Sequence, residues 1–234
     1  LSTMPATGGD ATGDVLSGVD GITGSDFNDT LTGFDGGFDG GTTTNLIDGG
    51  AGDDSISGLG GGDTLLGGAG NDTIAGGTGA DTMDGGTGSN TLDYSTSVGS
   101  FTVNMETNTA FGSDADGDVI SNFQNVIGSD FGDTITLSST GGTILASGGN
   151  DGLTGGAGDD TIFGQDGSDT ILGGAGNDVL DGDDVAPTGG ADLIRGGDGN
   201  DEIIGDTGND TLQGDAGSDT IFGGADDDLI SGGT

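Results

Sequence analysis

The sequence predicts an all-β chain, a parallel β-roll in which short strands wind as a solenoid, and three observations predict it. A nine-residue unit recurs along most of the 234 residues. Glycine supplies 59 of them, at fixed places in that unit. One large aliphatic residue returns in each unit, beside threonines whose β-branching favours a pleated strand.

The unit is clearest from Gly49, where the chain reads GGAGDDSIS, GLGGGDTLL, GGAGNDTIA, GGTGADTMD, GGTGSNTLD. From Gly155 it reads GGAGDDTIF, GQDGSDTIL, GGAGNDVLD; after a five-residue insertion around Pro187 it resumes as GGDGNDEII, GDTGNDTLQ, GDAGSDTIF, GGADDDLIS. The underlying pattern is G-G-x-G-x-D-x-U-x, with U aliphatic. Glycines at the first, second and fourth positions allow positive φ and close approach of neighbouring backbones. Such a turn can aim several carbonyl oxygens at one point. The last three residues form a short strand whose central side chain points inward. Ile56, Leu65, Ile74, Met83 and Leu92 line one run, and Ile162, Ile171, Leu180, Ile194, Ile203, Leu212, Ile221 and Ile230 the other. Thr64, Thr73, Thr82, Thr161 and Thr170 face outward.

Two units make one turn, so residues 18 apart stack: Asp54 on Asp72, Asp63 on Asp81, Asp160 on Asp178, Asp201 on Asp219. A longer repeat lies beneath. Asp10 to Thr32 matches Asp114 to Thr136 at an offset of 104, with 13 of 23 residues identical, and both copies contain G-S-D-F-x-D-T, at Gly24–Thr30 and Gly128–Thr134. Between the runs, Tyr94, Phe101, Met105, Phe111 and Phe123 concentrate the large side chains, and Phe101-Thr-Val-Asn-Met105 alternates as a half-buried strand does. This segment reads as a wider, apolar-filled turn of the same solenoid. The expected organisation is a partial module over 1–48, a first roll over 49–93, a β segment outside the nine-residue frame over 94–127, and a second roll over 128–234.

Charge narrows the function. The chain carries 41 acidic residues and one basic side chain, Arg195, for a net charge of −40. Nucleic acid is excluded, because phosphate recognition needs lysine and arginine, and anionic membrane surfaces are disfavoured on the same ground. No stretch approaches the roughly 18 apolar residues of a membrane span. The opening LSTMPATGGD lacks the basic and apolar regions of a signal peptide and begins in mid-pattern, as a piece of something longer does. Cysteine and histidine are absent and only Glu106 and Glu202 are glutamates, so no catalytic constellation is expected.

Scattered acidity with few aromatics would read as disorder. Here the acid falls at the sixth position of each turn, so the chain is expected to be disordered without its ligand and ordered with it. One aliphatic residue per nine is too thin a core to offset the ordering of nine residues. Stacked carboxylates and carbonyls form an oxygen cage suited to Ca²⁺. Zinc would draw softer ligands, and Mg²⁺ holds its waters.

The units from Gly49, Gly67, Gly76, Gly155, Gly173 and Gly196 fit G-G-x-G-x-D throughout. The chain therefore resembles the RTX, or haemolysin-type, calcium-binding repeat, whose signature carries a Ca²⁺-binding β-helix. The resemblance implies carboxylate ligands at Asp54, Asp63, Asp72, Asp81, Asp151, Asp160, Asp169, Asp178, Asp192, Asp201, Asp210, Asp219 and Asp228. It implies loop ligands at Gly49, Gly50, Ala51, Gly52, Gly67, Gly68, Ala69, Gly70, Gly76, Gly77, Thr78 and Gly79. In the second roll these are Gly155, Gly156, Ala157, Gly158, Gly164, Asp166, Gly173, Gly174, Ala175, Gly176, Gly196, Gly197, Asp198, Gly199, Gly205, Thr207, Gly214, Ala216, Gly223 and Ala225. On the order of ten ions are expected. Asn45 and Asn90 replace the aspartate, Gly142 removes it, and the Pro187 insertion is expected to distort the stack between Asp178 and Asp201.

The family also implies type I secretion to an extracellular or cell-surface location, the chain folding once outside. The 104-residue repeat favours a scaffold or spacer of an adhesin, matrix or surface-layer protein. The alternative is the C-terminal calcium-binding and secretion domain of a secreted enzyme or toxin whose active part lies elsewhere. Exposed solenoid ends predict stacking on neighbouring modules or end-to-end self-association.

Overall fold

The computed structural model describes residues 21–34, 44–183 and 189–234, whose regular secondary structure is short β-strands, with a single 3-10 turn at Ser113–Ala115 among the described residues. Most strands span three residues, the last three positions of a nonapeptide. Six run on for three more into the next glycine turn, as at Thr64–Ala69 and Thr170–Ala175. Contacts divide the chain into two compact units, one of residues 1–97 with 108–123, the other of 98–107 with 124–234.

In the first unit the chain alternates between two parallel sheets. One sheet runs Gly21–Thr23, Leu46–Ala51, Thr64–Ala69, Thr82–Asp84, Val119–Ser121, with Thr109–Phe111 added antiparallel. The other runs Thr30–Thr32, Ser55–Ser57, Thr73–Ala75, Thr91–Asp93. Register follows the repeat: Ile47 faces Leu65 and Leu65 faces Met83 on one sheet, Ile56 faces Ile74 and Ile74 faces Leu92 on the other. These aliphatics are buried between the sheets and form the core. Ile120 enters the same column beside Met83, 37 residues later instead of 18.

The second unit repeats the plan. Thr102–Asn104, Thr134–Thr136, Gly152–Ala157, Thr170–Ala175, Leu193–Asp198, Thr211–Ala216 and Leu229–Ser231 make one sheet. Asn125–Ile127, Thr143–Leu145, Thr161–Phe163, Val179–Asp181, Glu202–Ile204 and Thr220–Phe222 make the other. Val103, Ile135, Leu153, Ile171, Ile194 and Leu212 fill the core from the first sheet, with Val126, Ile144, Ile162, Leu180 and Ile203 from the second. Burial weakens at the last turn, where Ile221 is half-buried and Ile230 is exposed.

The insertion does not disturb the register. Ile171 faces Ile194, an offset of 23 that absorbs the five extra residues, and Ile194 then faces Leu212 at the ordinary 18. Pro187 itself lies outside the described residues. Of the aromatic cluster, Tyr94 and Phe123 are buried in the first unit, and Phe101 and Met105 in the second. Phe111 departs from the expectation: it is a flanking residue of its strand, with Ala110 pointing inward, and is more than half exposed.

Candidate metal centre

The sixth-position aspartates sit where a glycine turn enters a strand, and the backbone N–H of most of them donates to the sixth-position side chain one turn on, a carboxylate except where Asp72 meets Asn90 at 3.0 Å. In the first unit the Asp54 N–H donates to Asp72 Oδ1 at 2.9 Å, and the Asp63 N–H to Asp81 Oδ1 at 2.7 Å. In the second unit one row runs from Asp151 to Asp169 (2.8 Å), Asp192 (2.8 Å), Asp210 (2.9 Å) and Asp228 (3.1 Å). The other runs from Asp160 to Asp178 (2.9 Å), Asp201 (2.9 Å) and Asp219 (3.1 Å). The predicted stacks are therefore present. The one between Asp178 and Asp201 is continuous, contrary to expectation, because the strand register takes up the five extra residues as an offset of 23.

The carboxylates use only half of their capacity in this way. Asp54, Asp72, Asp81, Asp151, Asp160, Asp169, Asp178, Asp192, Asp201, Asp210 and Asp219 each keep an Oδ2 that is buried and accepts no hydrogen bond. Burial without a partner penalises the charged form. It raises the carboxyls of Asp54, Asp81, Asp160 and Asp169 from 3.8 to about 6, and those of Asp151 and Asp192 to about 7. The backbone hydrogen bond to Oδ1 pulls each value back down, and neighbouring carboxylates push it up again.

The first-position glycine is required by space. Gly49, Gly67, Gly76, Gly155, Gly164, Gly173, Gly196, Gly205, Gly214 and Gly223 each carry the sixth-position Oδ2 of their own unit where a Cβ would be. At Gly49 the same point lies 2.6 Å from the carbonyl oxygen of Gly67, one turn on. None of these ten has a positive φ, so freedom of φ, expected for the first position, belongs to the second and fourth alone. Four second positions keep that conformation without glycine, Leu59 at φ 72°, Gln165 at 69°, Asp206 at 63° and Asp215 at 68°, whereas Ser25 and Ser129 do not adopt it.

The third-position carbonyls tie turns together. Those of Ala69, Thr78, Asp166, Asp198 and Ala216 accept the fourth-position N–H of the preceding turn at 2.8–2.9 Å. Each retains a second lone pair. Among the described residues no three acidic, histidine or cysteine side chains gather at one point. A cation at Oδ2 must therefore complete its shell from backbone oxygens.

On these observations the residues fit Ca²⁺. A row of buried carboxylate oxygens without donors, set in glycine turns rich in carbonyls and with no nitrogen or sulfur ligand, is the donor set of a hard cation that accepts many oxygens. The bound ion would supply the positive charge that these carboxylates lack.

Three features escaped the sequence reading. Asp118 extends the row of Asp63 and Asp81, accepting the Asp81 N–H at 2.8 Å across 37 residues. Its signal is the run Asp118-Val-Ile-Ser, which has the D-x-U-x form. Asp183, also buried, accepts the Gly190 N–H at 3.1 Å and the Thr207 N–H and hydroxyl at 3.3 Å, so it closes the insertion. At the fifth position, Asn, Asp and Ser form a second, exposed ladder: Asp53 accepts from the Asn71 N–H at 2.8 Å, Asn71 from Ser89 at 2.8 Å, and Asn177 from Asn200 at 3.0 Å. The nine-residue pattern leaves that position unspecified, although its residues are nearly all short and polar.

The family model of the RTX calcium-binding nonapeptide repeat (4 copies) matches residues 39–69, 57–92, 145–180, 188–212 and 204–234, more than half of the chain. No curated protein matches the chain.

Proposed function

The chain belongs to the RTX calcium-binding nonapeptide-repeat family, and from that premise we propose that it is a calcium-folded scaffold or spacer of a secreted or cell-surface protein. The observation that carries this reading is the row of buried Oδ2 atoms without hydrogen-bond donors. Folding without a cation leaves carboxylates desolvated and close to one another, which opposes the fold at neutral pH. Calcium at the Oδ2 of the sixth-position aspartates, with loop carbonyls around it, removes that opposition. Any ion that binds the folded state alone stabilises it by mass action, by about 1.4 kcal/mol at ten times its Kd.

The cell then supplies the switch. In the cytosol, where calcium is scarce, the chain stays unfolded and can be exported; outside, it folds as the ions bind. The 104-residue repeat supports a spacer assembled from successive modules, and its two G-S-D-F-x-D-T units share not only sequence but hydrogen bonding.

Fractionation of the producing cells tests the proposal. The protein is expected at the surface or in the medium, resistant to protease in calcium and degraded after chelation. Recovery as a protease-resistant protein from the cytosol in chelator would refute it.

A further inference from the structure

Three carboxylates in the stacks do not keep an open oxygen. Asp133 Oδ2 accepts the Ser129 N–H at 2.8 Å and the Ser129 hydroxyl at 2.9 Å, while its Oδ1 accepts the Phe101 N–H at 2.9 Å. Both Ser129 and Asp133 are buried, at 0% and 2% exposure. Asp29, 104 residues earlier, repeats the arrangement: its Oδ2 accepts the Ser25 N–H at 2.6 Å and the Ser25 hydroxyl at 2.9 Å. The third is Asp118, whose Oδ2 accepts the Tyr94 hydroxyl at 2.6 Å.

The serine stands at the second position of its nonapeptide, where glycine is the rule. Its hydroxyl is itself fixed, because Oγ accepts the N–H two residues on, from Phe27 at 3.3 Å or Phe131 at 3.2 Å. A hydroxyl has one proton, and of its two acceptors the aspartate at 2.9 Å is the nearer, the carbonyl oxygen of Phe27 or Phe131 lying at 3.5 or 3.4 Å. Two donors on one carboxylate oxygen supply the positive partial charge that an ion supplies elsewhere. A cation at that oxygen would have to displace both, and would meet the positive ends of their dipoles first.

We infer that the two G-S-D-F-x-D-T units take no calcium: Ser25 and Ser129 occupy by hydrogen bonds the carboxylate oxygen that the ion occupies in the other turns, making these units calcium-independent turns. The inference rests on the reading of the open Oδ2 atoms as calcium ligands. In the first unit of the fold, Tyr94 closes the far end of the row of Asp63, Asp81 and Asp118 in the same manner. Three of the four rows thereby begin or end on a carboxylate saturated by the protein itself, at Asp29, Asp118 and Asp133, whereas the row from Asp160 to Asp219 keeps an open Oδ2 at both ends.

An anomalous-scattering map from crystals grown in calcium tests this with no substitution. A peak is expected within about 2.6 Å of Asp169 Oδ2, and none at Asp133 or Asp29. A peak at Asp133 Oδ2 would overturn the inference and leave the calcium reading intact. Absence of a peak at Asp169 would overturn the reading on which the inference rests. In solution, native mass spectrometry of Asp133→Asn at saturating calcium should count as many ions as the unaltered protein, whereas Asp169→Asn should lose at least one. Loss of an ion from Asp133→Asn would also overturn it; if that variant does not fold, the map decides.

Discussion

Alanine at Gly155 and alanine at Gly152 differ by three positions in one strand, and the structure assigns them opposite effects. A methyl at Gly155 would overlap Asp160 Oδ2 and lie 2.9 Å from Asp160 Cγ and 2.5 Å from the Gly173 carbonyl oxygen. Neither neighbour can yield easily. The carboxylate is held through Oδ1 by the Gly142 N–H at 2.9 Å, and the carbonyl belongs to the backbone of the next turn. Overpacking of this kind costs about 1–3 kcal/mol. In a chain of this length each kcal/mol lowers Tm by about 2–4 °C, so Gly155→Ala should melt about 2–12 °C lower in excess calcium. A methyl at Gly152 meets nothing nearer than Thr134 Oγ1 at 3.8 Å and the Asp133 carbonyl oxygen at 3.9 Å. It restricts only the unfolded chain and should stabilise by about 0.4–1 kcal/mol. Thermal unfolding followed by far-UV circular dichroism reads both. Equal shifts for the two variants would refute the assignment of the first glycine to space beside the carboxylate.

Other predictions follow from the same geometry. Calcium-free protein should respond to pH in the unusual direction: its carboxyls titrate near 6 or 7 when folded against 3.8 ordinarily, so the fold binds protons more tightly than the unfolded chain. Its stability in EDTA should be full below about pH 4 and fall as pH rises through 6 and 7, whereas calcium-loaded protein should lose its ions on acidification, as a pH series of dichroism spectra would record. Leu59, held at φ 72° and partly exposed, should gain about 1 kcal/mol on substitution by glycine, measured by urea unfolding in calcium. Asp169→Asn keeps an acceptor for the Asp151 N–H but replaces the buried anionic oxygen, so calorimetry should show weaker calcium binding with the strand register retained.

Much of the fold was legible because the nine-residue period records two things at once, the inward aliphatic and the turn that precedes it. Ile47, Leu65 and Met83 could be placed in one column, and Asp54 above Asp72, by counting 18. Counting failed where residues are inserted between turns. Nothing in the local sequence says whether the ladder continues across an insertion, as it does between Asp178 and Asp201, or breaks there. Asp118 was missed for the same reason, since its neighbour Asp81 lies 37 residues away. The role of the first glycine was only half legible: composition shows that a side chain is excluded, but separating φ from space requires the carboxylate's position. Ser129 illustrates a further limit, because the substitution is plain in the sequence while the direction of its hydroxyl is not.

The central claim is that calcium at the buried aspartate oxygens supplies the stability that the thin core does not. It is tested most directly by far-UV circular dichroism during a calcium titration of protein first stripped with EDTA at neutral pH, with Mg²⁺ as the control. A cooperative coil-to-β transition between about 0.1 and 1 mM Ca²⁺, absent with Mg²⁺, is the result predicted. An unchanged β spectrum in EDTA at neutral pH would contradict it, because the stacked carboxylates would then be tolerated without an ion.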